Sequence, residues 1–183
     1  MTGSSNPRPI RRLSPALKRR FRIAWRLMPD VVQEALHPYV IRVEERATLA
    51  GAEIRVGGQV VATSDVDAQG RAMIAYIDGR MYGAVLLRSD TAQIPEGPAV
   101  AIICHELAHC LQHLDCGERE WLANESETEL SAWFQALAWL TFHAQRYERH
   151  YEGLDEAISY GLGCVDELGD AWGAERRRGR RSD

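Results

Sequence analysis

Apolar positions fall at helical spacing twice before residue 40, shift to strand-like runs between about 52 and 87, and then return to helical spacing. Leu17, Phe21, Ala24, Trp25 and Met28 form one stripe, so the spacing predicts a helix from Pro15 to about Met28 with its arginines on the opposite face. Ser14-Pro15 supplies the start, an N-cap followed by a proline at the first helical position. A second short helix begins at Asp30 and ends near His37-Pro38.

Four runs rich in β-branched residues follow: Ala52 to Val56, Gly58 to Thr63, Ala72 to Ile77 and Tyr82 to Leu87. Gly57-Gly58, Asp67 to Gly70 and Asp78-Gly79 separate them as turns, which predicts a small antiparallel sheet or meander. Gly97-Pro98 closes this part. Helical periodicity then runs from Ala99 to Leu114 until Asp115 and Gly117, and again from Trp121 to about Tyr147. Leu154, Ile158, Leu162, Val165, Leu168 and Trp172 predict a last helix, which Gly161 and Gly163 weaken. The expectation is an α+β fold, a small antiparallel sheet packed against further helices.

At 183 residues and 45 % hydrophobic content the chain fits one domain, expected over residues 13 to 175. Residues 1 to 12, with Gly3, Ser4, Ser5, Pro7 and Pro9, read as a flexible basic leader, and residues 176 to 183 as a disordered arginine-rich tail. Charge is uneven: 13 of the 22 basic residues lie before Leu27 or after Glu175, and the stretch between carries 9 positive and 25 negative side chains, a net of −16. Such a body does not suit nucleic acid, so a nucleic-acid contact would fall to the ends. No apolar run approaches the roughly 18 residues of a membrane span. Arg11-Arg12 is not followed by an apolar segment, and no stretch resembles a secretory signal. Cys104, Cys110, Cys116 and Cys164 are therefore expected as reduced thiols in a cytoplasmic protein.

Chemistry concentrates in His105-Glu106-Leu107-Ala108-His109. Two histidines four residues apart project from one helix face, as two ligands of one metal ion must, and neutral imidazoles suit zinc. Glu106 can reach a water beside such an ion without being a ligand, and would act as the general base. Cys104, Leu107, Ala108 and Leu111 form the opposite face, a stripe suited to a core.

A catalytic zinc ordinarily takes three protein ligands. The third candidate comes from the acidic start of the next helix, where Glu125 and Glu129 share a face and Glu127 points away. Ala132 and Ala136 on the Glu129 face would permit close approach, which favours Glu129 and leaves Glu125 as the alternative. His113 is two turns from His105, and a straight helix cannot wrap three turns around one ion at about 2.0–2.1 Å, so it is expected to support rather than bind. Cys104 and Cys110 flank the motif as apolar side chains. His143, Tyr147, His150, Tyr151 and Tyr160 are candidates for stabilising an oxyanion, and spacing selects none of them. Tyr82 to Leu87 is a candidate edge strand for an extended peptide.

From about Ala84 to Leu137 the chain resembles the ImmA/IrrE-like zinc metallopeptidases of the gluzincin group. The resemblance is carried by Leu86-Leu87 leading to Arg88-Ser89-Asp90, a proline-containing connection, AIICHELAHCLQH, and then ETELSAWFQAL. It implies a zincin-like fold, one zinc ion per chain held by His105, His109 and Glu129, and Glu106 as catalytic base. It also implies cleavage of a regulatory protein in a bacterial cytoplasm.

The expected function is thus a zinc-dependent endopeptidase of narrow specificity acting on a protein or peptide. Two other readings use the same residues differently: a nucleic-acid-associated factor gripping through its arginine-rich ends, or a catalytically silent zincin-like binding module.

Overall fold

The computed structural model describes residues 10–116, 125–146 and 152–179. Strand β1 (Ile10–Arg12) leads to helices α1 (Pro15–Leu27) and α2 (Asp30–Tyr39), then to β2 (Val40–Arg46), β3 (Glu53–Val56), β4 (Gln59–Thr63), β5 (Gly70–Ile77) and β6 (Arg80–Arg88). After a single 3-10 turn (Ser89–Ala92) come helices α3 (Glu96–Cys116), α4 (Glu125–Arg146) and α5 (Leu154–Gly179). The arrangement is α+β, as the hydrophobic pattern predicts.

The sheet departs from the expected antiparallel meander. Its order is β1-β2-β6-β5, with β1 parallel to β2, β2 parallel to β6, and only β5 antiparallel to β6. β3 and β4 form a separate antiparallel hairpin. Both hairpins use the glycine turns: Gly57 and Gly58 have φ of 58° and 85°, and Asp78 and Gly79 have 50° and 74°. Two consecutive positive φ values match the right-handed twist of the strands they join.

β2 is the central strand that periodicity misses. Its sequence VIRVEER carries four charges, yet it is a central strand. Glu44 is buried with Arg42 2.8 Å away and Arg46 also hydrogen-bonded to it, so a strand that reads as polar goes inside with its charges paired. Glu45 accepts a 2.6 Å hydrogen bond from the Ser14 backbone N–H, joining β2 to the start of α1. Ser14 also caps α1, its hydroxyl accepting from the Leu17 N–H. Pairing with β2 draws in residues 10–12, the end of the expected leader, and α5 continues through residues 176–179 of the expected tail. Residues 1–9 and 180–183 lie outside the described part.

Alternation along the strands divides the core in two. Val43, Ala72, Val85 and Leu87 face the helices and join Leu17, Phe21 and the α3 residues in the larger cluster. Met73, Ala84 and Leu86 face the other way and pack with Leu49 and Ile54 below the β3–β4 hairpin. α3 is the hub, packed on α1, α4, α5 and β5. Consequently every residue from Ala99 to Cys110 is buried, including those on the chemistry face, and α3 does not have the half-exposed character of a surface helix.

Candidate metal centre

α3 presents His105 and His109 one turn apart, with their Nε2 atoms 3.0 Å from each other. α4 brings Glu129 against both: Oε2 is 3.1 Å from His105 Nε2, and Oε1 is 3.3 Å from His109 Nε2. One ligand atom from each residue lies within 4.8 Å of the others, so this His-His-Glu group can hold a metal ion. Among the described residues it is the one such group. Ala132 and Ala136 are fully buried at the α4 contact, as close approach of the two helices requires. Of the competing acids, Glu127 is exposed, while the Glu125 side chain lies outside the described part.

Each ligand is oriented by a different means. His109 Nδ1 lies 2.9 Å from Gln112 Oε1, which as an acceptor fixes a proton on Nδ1, so that the neutral imidazole would offer its Nε2 lone pair to a metal ion, while in the metal-free state an Nε2–H can donate to Glu129. Gln112 donates in turn from Nε2 to the Thr128 carbonyl at 3.1 Å, tying α3 to the residue preceding Glu129. His105 has no such support, since its buried Nδ1 lacks a hydrogen-bond partner. Instead Trp133 stacks on its ring with centroids 4.2 Å apart, and Tyr160 of α5 packs edge-on against Trp133 at 6.0 Å. Burial works against charge on Glu129, but hydrogen bonds from His105 and His109 prevail and hold its carboxyl well below the usual range. It stays anionic, as a ligand should.

Glu106 is buried beside this group and outside it. Desolvation pushes its carboxyl pKa up, opposed by the neighbouring histidines and by a hydrogen bond from the Ala72 backbone. The strand meets the carboxylate closely at Gly70, where a Cβ would lie 2.7 Å from Glu106 Cγ and 2.8 Å from Oε1. Only a residue without a side chain lets β5 pass so near the Glu106 carboxylate. No spacing rule points to Gly70, because the contact joins residues 36 apart in sequence.

A cleft of ≈ 280 Å³ opens onto these groups, bordered by residues 68–72 of β5 and its approach, and by Ile102, Trp133 and Tyr160. Tyr160 is the oxyanion candidate that reaches it; the side chains of His143, Tyr147, His150 and Tyr151 lie outside the described part. The expected edge strand, Tyr82 to Leu87, is instead internal, paired on both sides by β2 and β5. β5 borders the cleft at the end of the sheet, and the reason is that β2 occupies the other side of β6.

His113 is fully buried and lies outside the ligand group, in the wall of a second cavity of ≈ 300 Å³ farther along β5. Desolvation, reinforced by His109 and Arg71, lowers its pKa to about 3, so it is uncharged near neutrality. Cys104 is likewise inert, its thiol pushed up to about 12 by burial. Among the described residues no helix is long and apolar enough to cross a membrane. Two N-terminal arginines are engaged within the fold: Arg20 hydrogen-bonds the Thr91 and Ile94 carbonyls, and Arg19 pairs with Glu96 at 3.1 Å.

No family model, curated protein or solved structure matches this chain.

Proposed function

We propose that this protein is a zinc-dependent peptide hydrolase of the gluzincin type, like the ImmA/IrrE-like metallopeptidases its sequence resembles. The observation that carries the reading is the convergence of His105, His109 and Glu129 on one point with the buried carboxylate of Glu106 beside them. Ligands about 2.0–2.1 Å from a tetrahedral zinc lie roughly 3.3 Å from one another, and the donor separations of 3.0, 3.1 and 3.3 Å suit that arrangement. Two imidazoles and a carboxylate are also a familiar donor set for a catalytic zinc with one position left open.

When bound, zinc would polarise the scissile carbonyl and acidify the attacking water. The protein's own part falls to Glu106. Its carboxylate takes the proton from that water and passes it to the departing amine, a task favoured by burial, which raises its pKa. The Ala72 N–H holds the carboxylate in place. β5, the end strand of the sheet, borders the cleft and would lay an extended peptide across the site, and the small cleft favours a narrow set of substrates.

The test is metal content per chain by elemental mass spectrometry, with peptide cleavage measured on wild type and Glu106→Gln. About one zinc in both proteins, with cleavage reduced by roughly 10²–10⁴-fold in the variant, supports the reading. Undiminished cleavage by Glu106→Gln removes the base from the mechanism, and a wild type that takes up no zinc removes the hydrolase.

A further inference from the structure

Of the two histidines at the centre, His105 is the one whose second ring nitrogen makes no hydrogen bond: its Nδ1 is buried without a partner, whereas His109 Nδ1 has Gln112 Oε1. A ligand imidazole lacking that bond keeps its orientation only if something else holds the plane of the ring. Here other rings do so. Trp133, 7 % exposed, covers one face of the imidazole with 4.2 Å between centroids and 25° between planes, and His109 meets it edge-on at 4.4 Å. Trp133 follows Glu129 by one turn of α4, so a single helix face supplies one ligand and the cover of another.

Trp133 is held in turn by α5, a helix that contributes nothing to the His-His-Glu group. Tyr160 packs against the indole at 6.0 Å between centroids and 63° between planes. The neighbouring Gly161 lets α5 close on the same part of α4: a Cβ there would lie 2.9 Å from Leu137 Cδ2 and 3.7 Å from Trp133 Cε3. A glycine that weakens α5 as an isolated helix is thus what brings it against the indole. The Tyr160 hydroxyl is hydrogen-bonded to Cys164, one turn along its own helix, which steadies the phenol ring where it meets Trp133.

Resting on the metal centre of the proposed hydrolase, we infer that Trp133 and Tyr160 are positioning residues of that centre: two rings reaching from α5 to His105 take the place of the missing hydrogen bond, so that zinc affinity depends on a helix that holds no ligand. The ring of Tyr160 carries this role and its hydroxyl does not. Removing the group that orients a metal ligand weakens binding by about 10–100-fold, and a single aromatic contact is worth roughly twofold to tenfold, so both rings should be visible in the affinity.

The experiment reads zinc affinity by chelator competition on the full chain as wild type, Trp133→Phe, Trp133→Met, Tyr160→Phe and Tyr160→Leu, and records the visible absorption of each at saturation with cobalt in place of zinc. Both phenylalanine variants keep a ring and should stay within about twofold of wild type, with its cobalt spectrum. Trp133→Met fills space without offering a face, and should bind zinc about tenfold or more weakly with an altered spectrum, because an unheld imidazole changes the ligand geometry. Tyr160→Leu should lose about fivefold. Equal loss in Trp133→Phe and Trp133→Met, loss with an unchanged cobalt spectrum, or unaltered affinity in Trp133→Met marks packing alone and overturns the inference. Should Trp133→Met fail to fold, Tyr160→Leu against Tyr160→Phe decides, since Tyr160 is only half-buried. A wild type that takes up no zinc refutes the centre and the inference together, whereas zinc bound without peptide cleavage refutes the hydrolase alone.

Discussion

Two cavities lie side by side along β5, and each has a buried histidine of α3 in its wall: His109 in one and His113, a turn later, in the other. They share a strand, a helix, Arg71 and Ala72. What separates them is α4. At His109, Glu129 closes a three-donor group and Gln112 fixes a proton on the imidazole, whereas the cavity at His113 is lined largely by strand residues and, among the described residues, His113 joins no metal-binding group. A helical run of histidines at four-residue spacing therefore does not define a metal centre by itself. α4 decides which histidines join a three-donor group, through the Glu129 carboxylate, and Gln112 of α3 ties His109 to the Thr128 carbonyl of α4.

The largest effect should come from exchanging the roles of the two cavities. Glu129→Ala is expected to lose nearly all bound zinc, while His113→Ala keeps about one ion per chain; equal loss in both would make the two histidines equivalent and dissolve the contrast. Next, Gly70→Ala places a methyl against Glu106 and should displace it. A shift near 1 Å at the base is worth about 10²-fold in cleavage rate, so activity should fall by about that factor with zinc content unchanged. Gln112→Leu removes the support of His109 and the tie to Thr128 together, and should weaken zinc binding about 10–100-fold in a chelator competition. Unaltered affinity there would mean that stacking of the kind Trp133 gives His105 is sufficient.

The smallest effect concerns pH. With a folded-state pKa of about 3 against 6.5 for the free side chain, His113 binds its proton more weakly when folded. Its contribution is complete above about pH 6.5 and is lost as pH falls toward 3, by at most about 1.4 kcal/mol per pH unit. His113→Leu should thus lose less stability than wild type between pH 6.5 and 3 in denaturant titrations. Parallel curves would show that His113 takes up its proton equally in both states.

How much was legible depended on the range of the interaction that settles each feature. Helices α1 to α3, the two hairpins and their turns follow from local pattern, because a stripe of apolar residues or a pair of glycines acts within a few residues. The expected helix from Trp121 to about Tyr147 corresponds to α4 at 125–146, and residues 117–124 lie outside the described part. β2 was not legible, since its four charged residues read as polar, and the ion pairs of Arg42 and Arg46 with Glu44 that let it lie inside the sheet form only in the folded chain. Once β2 is central, β6 becomes internal, and the role of edge strand passes to β5 at the cleft. β1, hidden in the expected leader, and β2 together account for the parallel part of the sheet.

The sequence alone was enough to pick out His105, Glu106 and His109 as a unit, because ligand spacing on one helix is a local property. It also favoured Glu129, through the alanines on its face. What only the tertiary structure decided is everything that joins α3 to other elements: Glu129 placed within 3.3 Å of both histidines, and Gly70 and Ala72 against the Glu106 carboxylate. These contacts span residues 16 to 36 apart, from Gln112–Thr128 to Gly70–Glu106, where no periodicity reaches and packing between elements sets the distance.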